Sequence, residues 1–160
     1  MSEPLYESAK KFQGRLEEFG HSHKVVQYKE SMQTVEEAAQ VIGCEMEQIA
    51  KSVILRLSDS KEAVVAIISG KNSVNEMVIE LLTGEDVEKA DADLVERATG
   101  YTIEGVPPIF HDHPLITFID ESLMDYDVIW ATAGHAQAVF QLTPGELKSI
   151  TLAEVITMNK

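Results

Sequence analysis

The chain has 160 residues, of which 44% are hydrophobic and 25% are charged, a composition that is typical of a globular domain and argues against disorder. It carries 13 Lys and Arg against 27 Asp and Glu, and the formal net charge of −14 argues against a protein that coats nucleic acid or binds anionic membranes. The length predicts a single domain over residues 1–160. Because there is one cysteine and no apolar N-terminal signal segment, we expect this domain to be located in the reducing cytoplasm.

The N-terminal segment is predicted to form a helix and then a short strand. Its apolar residues recur every three or four positions, which places them on one helix face. Pro4 is typical of a first helical turn and Gly20 of a helix end, and residues 24–28 read as the strand. The apolar face comprises Leu5, Ala9, Phe12, Leu16 and Phe19.

Three further helices are predicted to begin at capping boxes, in which a Ser or Thr and a Glu three residues later satisfy each other's backbone N–H groups. They predict helices over residues 34–43 and 73–82 and a third that opens at Thr143, with Pro144 in its first turn. Residues 91–99 predict one more short helix. The capping pairs are Thr34 with Glu37, Ser73 with Glu76, and Thr143 with Glu146.

Strands occupy most of the remaining chain. The β-branched runs 52–57 and 63–69 flank a polar stretch and predict a hairpin, whereas residues 101–114 contain three of the five prolines and predict a loop. Further strands are predicted over 87–90, 115–119, 128–132, 138–142 and 154–158. We therefore predict an α+β fold with a mixed, partly antiparallel, β-barrel-like sheet surrounded by helices.

The negative charge is unevenly distributed. Residues 1–30 are neutral and residues 48–75 carry a balance of +2, whereas residues 76–127 carry fourteen acidic side chains against two basic ones. We expect a phosphate-bearing ligand to bind the first half of the chain, and the acidic stretch to be solvated surface.

Metal and covalent chemistry are weakly supported. His21 with His23 and His111 with His113 have the spacing of two ligands on a strand, but both pairs fall in predicted turns, so no metal site is predicted. Cys44 has no identifiable basic partner and the chain has no G-x-S-x-G motif, so no covalent nucleophile is predicted either.

Three features could instead bind a ligand directly. Lys51 opens an apolar strand, where its ammonium group could point into a barrel cavity or reach solvent at the sheet edge. Lys71 precedes a predicted helix N-terminus, which favours anions. The loop with Gly105 and Pro108 combines close backbone approach with stiffness, and it could donate N–H groups to an oxyanion or form a structural turn.

These short motifs, in this order, resemble the YbaK/ProX family, relatives of the editing domain inserted in bacterial prolyl-tRNA synthetases. The resemblance extends over nearly the whole chain. It is carried by Tyr28, Ala38–Ala39, Gln48–Ser52, Ser69–Asn72, Thr99–Tyr101, Gly105–Pro108, Ala131–Gly134 and Leu142–Leu147.

The resemblance implies a stand-alone aminoacyl-tRNA deacylase with no metal or organic cofactor. Its partner would be the acceptor end of mischarged tRNA, tRNA-Pro species first, with a synthetase as a further partner. In such a site Lys51 would hold the phosphate or carbonyl of the terminal aminoacyl-adenosine, and the Gly105–Pro108 loop would stabilise the oxyanion. The site residues that the resemblance implies are Lys51, Gly105 and Pro108 for catalysis, and Tyr28, Ser69, Lys71, Thr132 and Gly134 for substrate binding.

Three positions depart from the family pattern and leave a second function open. Glu104 replaces the first glycine of a Gly-Gly pair, Phe110 replaces a glycine and is expected to narrow the pocket, and Val139 stands where some relatives have an acid. The alternative is a non-catalytic module that binds aminoacyl-adenosine or the tRNA end. No helix rich in Arg or Lys is present, so broad or sequence-specific DNA binding is not expected.

Overall fold

The computed structural model describes residues 5–158, so the helix start predicted at Pro4 lies outside the described residues. Over this span the chain forms five helices and eight strands. The helices are α1 Glu7–Glu18, α2 Val35–Ile42, α3 Glu76–Thr83, α4 Ala92–Thr99 and α5 Pro144–Thr151. The strands are β1 Val25–Gln27, β2 Ile49–Leu57, β3 Ala63–Ser69, β4 Val87–Lys89, β5 Ile116–Asp120, β6 Ile129–Thr132, β7 Ala138–Leu142 and β8 Glu154–Ile156.

The strands form one mixed sheet in the order β1-β7-β6-β2-β3-β5-β8, which confirms the predicted α+β class. The β1–β7, β6–β7, β2–β3 and β2–β4 pairs are antiparallel, whereas β2–β6, β3–β5 and β5–β8 are parallel. Among the described residues, β1 and β8 end the sheet without pairing with each other, so the sheet is open rather than a closed barrel.

The central strand β2 has a split edge that positions the site. One edge pairs with β3 along most of its length. On the other edge, β6 pairs only with Ile49 and Ala50, and β4 only with Leu55–Leu57. The strands β6 and β4 therefore diverge from β2 on either side of Lys51, and the backbone of β2 is left open between them.

Helices cover both faces of the sheet. Strand alternation sends Ile54 to one face, where it packs with Phe12 of α1 and Leu147 of α5. The opposite face divides between two helices. Ile79 of α3 packs on Leu55 in one cluster, and Ala38 of α2 packs with Ile49 of β2 and Val139 of β7 in another. The start of α2 consequently lies above the open part of β2.

Two of the three predicted helix starts are confirmed, with a full capping box at Thr143 and its first half at Thr34, and the third is wrong. Thr34 and Thr143 cap α2 and α5, each accepting the N–H of the Glu three residues on at 3.1 Å. The third helix begins at Glu76 rather than Ser73, because residues 69–72 form a turn that is bound to Asp120. The Asn72 side-chain amide donates to Asp120 Oδ2 at 2.7 Å and keeps the following residues out of the helix.

Candidate functional site

A cavity of about 190 Å³ opens on the α2 side of the sheet, where β6 and β4 diverge. It brings together the sheet face, the start of α2 and the loop after α4. Its lining residues are Met32, Gln33, Thr34, Val35, Ala38, Ile49, Lys51, Glu104, Trp130, Thr132, Ala136 and Val139. Of the residues predicted to form the site, Lys51 and Thr132 line this cavity directly.

Lys51 provides a cation in the cavity. Its side chain is half-buried. Lys51 was predicted to open the strand, but β2 begins two residues earlier, at Ile49. Within residues 5–158 Lys51 forms no ion pair. Burial lowers the pKa of its ammonium group, and the nearby charge of Lys89 lowers it further. An anion or a polarised oxygen in the cavity would offset both effects.

The N-terminus of α2 also faces the cavity, and its first turn carries the carboxylates of Glu36 and Glu37. Thr34, Val35 and Ala38 line the cavity, so the first turn of the helix faces it. Unpaired N–H groups at a helix start carry partial positive charge, and this favours the same kind of ligand as Lys51. Lys51 and these N–H groups suit an oxygen that is negative or becomes negative, while Glu104 adds a negative charge to the same lining.

The predicted oxyanion loop lies beside the cavity. A Cβ added at Gly105 would lie 2.8 Å from the carbonyl oxygen of Gly134, so this position leaves no space for a side chain. The Gly105 N–H donates to the Thr102 carbonyl at 2.9 Å. Pro107 and Pro108 have no N–H group, and that of Gly105 is already bonded. The Val106 N–H is therefore the one in this loop segment that has no acceptor among the described residues. Gly134, which was predicted to bind substrate, therefore packs against Gly105 of the loop.

Pro108 and Phe110 line a different cavity, of about 290 Å³, together with His111 and His113. Phe110 has a positive φ of 65°, which explains why glycine suits this position. Its ring turns towards α1 and stacks on Phe19 with 5.0 Å between centroids. The expectation that Phe110 narrows the pocket is therefore wrong.

Tyr28, Ser69 and Lys71 surround the cavity without lining it. Tyr28 packs in the apolar cluster behind the lining, and burial raises the pKa of its phenol. The buried Ser69 hydroxyl donates to the Glu47 carbonyl at 2.8 Å. Lys71 is exposed and pairs with the Glu47 carboxylate at 3.5 Å. Ser69 and Lys71 thus support the segment before β2.

Several lining residues were not predicted from the sequence. Trp130 stands two positions before Thr132 on β6, and strand alternation could have placed both on one face. Met32 and Gln33 precede the Thr34 cap, but their approach to β2 depends on long-range packing. Val139 does line the cavity, so the family departure at this position lies in the site itself.

One histidine of each H-x-H pair has a polar partner within the protein. The described residues contain no group of three His, Cys, Asp or Glu able to hold a metal ion. His23 Nε2 lies 3.2 Å from a Glu146 carboxylate oxygen, and His111 Nε2 lies 2.7 Å from the Pro107 carbonyl oxygen. No helix over residues 5–158 is long and apolar enough to cross a membrane.

The sequence model of the aminoacyl-tRNA editing domain matches residues 29–150, about three quarters of the chain. The chain belongs to this family. The matched segment contains Lys51, the Gly105 loop and Thr132, so the described cavity lies wholly within the editing domain.

Solved structures and a curated relative resemble this editing domain over nearly its whole length. A candidate trans-editing enzyme for prolyl tRNA synthetase has a TM-score of 0.93 and 37% identity, and the match covers 98% of this chain and 99% of the other. The hypothetical protein APE2540 has a TM-score of 0.85 and 25% identity, with 94% and 99% covered. The uncharacterised protein YwhH of Bacillus subtilis is 24% identical over 92% of this chain and 94% of its own.

Proposed function

We propose that this editing domain is a deacylase that hydrolyses the ester between a wrong amino acid and the terminal adenosine of tRNA. The observation that carries the proposal is the half-buried Lys51, unpaired among the described residues, in a cavity beside the Gly105 loop. The similarity to a candidate trans-editing enzyme for prolyl tRNA synthetase supports tRNA-Pro species as the first substrates to test.

In the proposed reaction Lys51 holds the phosphate or the ester carbonyl of the terminal aminoacyl-adenosine. As the carbonyl carbon is attacked, negative charge develops on its oxygen, and Lys51 and the Val106 N–H stabilise that charge. Thr132 positions the substrate. Water attacks, or the adjacent ribose 2′-hydroxyl assists, and the tRNA hydroxyl leaves with a proton. Burial raises the pKa of the Cys44 thiol, which disfavours a cysteine nucleophile.

The uneven charge of the chain limits how tRNA would bind. Lys51 lies in a segment with a balance of +2, whereas the excess acidic charge lies within residues 76–127, of which Glu104 lines the cavity. We therefore infer contact with the acceptor end alone, weak affinity for whole tRNA, and a synthetase as a partner that supplies further tRNA contacts. Tight binding of uncharged tRNA at physiological salt would contradict this inference.

A panel of mischarged tRNAs tests the proposed function. Each tRNA is incubated with catalytic amounts of the protein, and loss of the labelled amino acid is compared with spontaneous hydrolysis. We expect multiple turnover of at least one mischarged tRNA-Pro, with little hydrolysis of the correctly charged form. An amide-linked aminoacyl-adenosine that binds although no tRNA is hydrolysed would favour the alternative, a non-catalytic binding module.

Gly105→Ala should lower deacylation by at least about tenfold, because the added methyl group would push the loop away from the Gly134 carbonyl. Overpacking of this kind costs about 1–3 kcal/mol in the free energy of unfolding. The matched control is Gly145→Ala in α5, where an added Cβ would have open space apart from Thr143 Oγ1 at 4.0 Å. Steady-state kinetics and urea unfolding measure both effects, and equal activity of the two variants would contradict the role of the loop.

The rate should fall at high pH, because deprotonated Lys51 cannot hold an anion or a developing oxyanion. Its pKa lies below the ordinary lysine value, first through burial and then through Lys89, so the fall begins earlier than for an exposed lysine. Lys89→Gln removes one of these causes and should shift the descending limb of the pH–rate profile to higher pH. Lys61→Gln, at the exposed β2–β3 turn, should leave the limb in place.

A further inference from the structure

The cavity contains two opposite charges that do not neutralise each other. Among the described residues that line it, Lys51 and Glu104 are the charged ones. Lys51 projects from β2 and Glu104 from the loop after α4, and no ion pair joins them within residues 5–158. Two unpaired charges of opposite sign suit a ligand that presents a positive and a negative or polarised group together.

The backbone at Glu104 is held in place. The hydrogen bond from the Gly105 N–H to the Thr102 carbonyl, 2.9 Å long, closes a turn with Ile103 and Glu104 at its centre. Gly105 in turn packs on Gly134, where the backbone leaves no space for a side chain. The Glu104 carboxylate forms no hydrogen bond or ion pair with a described residue, so it is available to a ligand.

We propose that Glu104 binds the α-ammonium group of the aminoacyl moiety, so that the cavity selects esters with a free α-amino group over N-acylated ones. The inference rests on the proposed deacylase function and names the substrate class of that site. In an aminoacyl ester the ammonium and carbonyl groups are on adjacent carbons, so one molecule presents a cation to Glu104 and an oxygen to Lys51. The apolar residues Val35, Trp130 and Val139 then face the amino-acid side chain.

The test compares a mischarged tRNA with its N-acetylated form, below the ordinary α-amino pKa of about 8 so that the free amine is charged. The amino acid is the one that the protein hydrolyses fastest, and spontaneous hydrolysis of each form is subtracted. The wild type should prefer the free amine by about tenfold or more in kcat/KM, as expected for a charge-assisted hydrogen bond. Glu104→Gln should lose most of that preference by slowing only the free-amine reaction. Glu96→Gln on the exposed surface of α4 is the control and should retain it.

A binding measurement keeps the inference testable without catalysis. Calorimetry compares an alanyl-adenosine analogue, amide-linked at the 3′ position, with its N-acetyl form. Weaker binding of the acetyl form, and loss of that difference in Glu104→Gln, is expected whether or not the ester is hydrolysed. Equal binding and equal hydrolysis of the two forms would overturn the inference while leaving deacylation intact. A Glu104→Gln variant that hydrolyses both tRNA forms faster would overturn it too, since Glu104 would then act by repelling tRNA phosphate.

Discussion

Lys51→Ala should reduce kcat/KM for deacylation by about 100-fold or more, the loss typical when a group that stabilises a developing oxyanion is removed. The reason is the position of Lys51. Its ammonium group is a cation of the cavity wall that no described carboxylate neutralises. The free energy of unfolding should change by less than about 1 kcal/mol, because a half-buried lysine without an ion pair contributes little to stability. Single-turnover hydrolysis and urea unfolding measure the two quantities.

Two comparison variants test whether the loss of activity is specific to the ammonium group of Lys51. Lys148→Ala removes an exposed lysine from the last turn of α5 and should retain wild-type activity. Lys51→Arg keeps the charge but replaces a compact ammonium with a larger planar group, so we expect only partial activity. Full activity of Lys51→Ala, with unfolding unchanged, would show that Lys51 has no part in the reaction.

Asp120→Ala should destabilise the protein by about 3–5 kcal/mol, the largest effect on stability that we expect, because buried donors lose their acceptor. The fully buried Asp120 carboxylate accepts the N–H groups of Ser69 at 3.1 Å and Ser122 at 3.0 Å, and the Asn72 amide at 2.7 Å. These bonds tie the end of β3 to the turn that follows β5. Urea unfolding should show a lower midpoint with an unchanged m-value.

The neighbouring Asp125 provides the control for this variant. It lies in the short 3-10 turn that Asp120 caps, Glu121–Asp125, but is exposed, so Asp125→Ala should change stability by no more than about 0.5 kcal/mol. The Asp120 variant should also lower the deacylation rate indirectly. The turn that Asp120 holds contains Gly70, where an added Cβ would lie 2.5 Å from Val35 Cγ1 at the start of α2. Equal stability of the two variants would contradict the stabilising role of the hydrogen bonds that Asp120 accepts.

The sequence predicted the elements that local chemistry determines. The caps at Thr34 and Thr143 and the loop over 101–114 depend on neighbouring residues, and they are found where they were expected. Ser73 failed as a helix start because a residue far along the chain, Asp120, holds the preceding turn. A capping pattern within a few neighbouring residues contains no information about a hydrogen bond to a residue so distant in sequence.

The site was predictable only in part, for a similar reason. The resemblance singled out Lys51 and Thr132, and both line the cavity. Whether Ser69 faces the cavity or the Glu47 carbonyl depends on how β3 packs on the segment before β2, which no motif specifies. Phe110 turns away because of its left-handed backbone and its contact with Phe19. The split edge of β2, which opens the cavity, follows from strand pairings that are distant in sequence.

The most direct test of the account is multiple-turnover hydrolysis of mischarged tRNA-Pro by the wild-type protein and by Lys51→Ala. We expect the wild type to release many equivalents of amino acid per protein molecule, and the Lys51 variant to release it about 100-fold more slowly or slower still. Release at the uncatalysed rate by the wild type, across the whole panel and with a known deacylase active in the same assay, would contradict it.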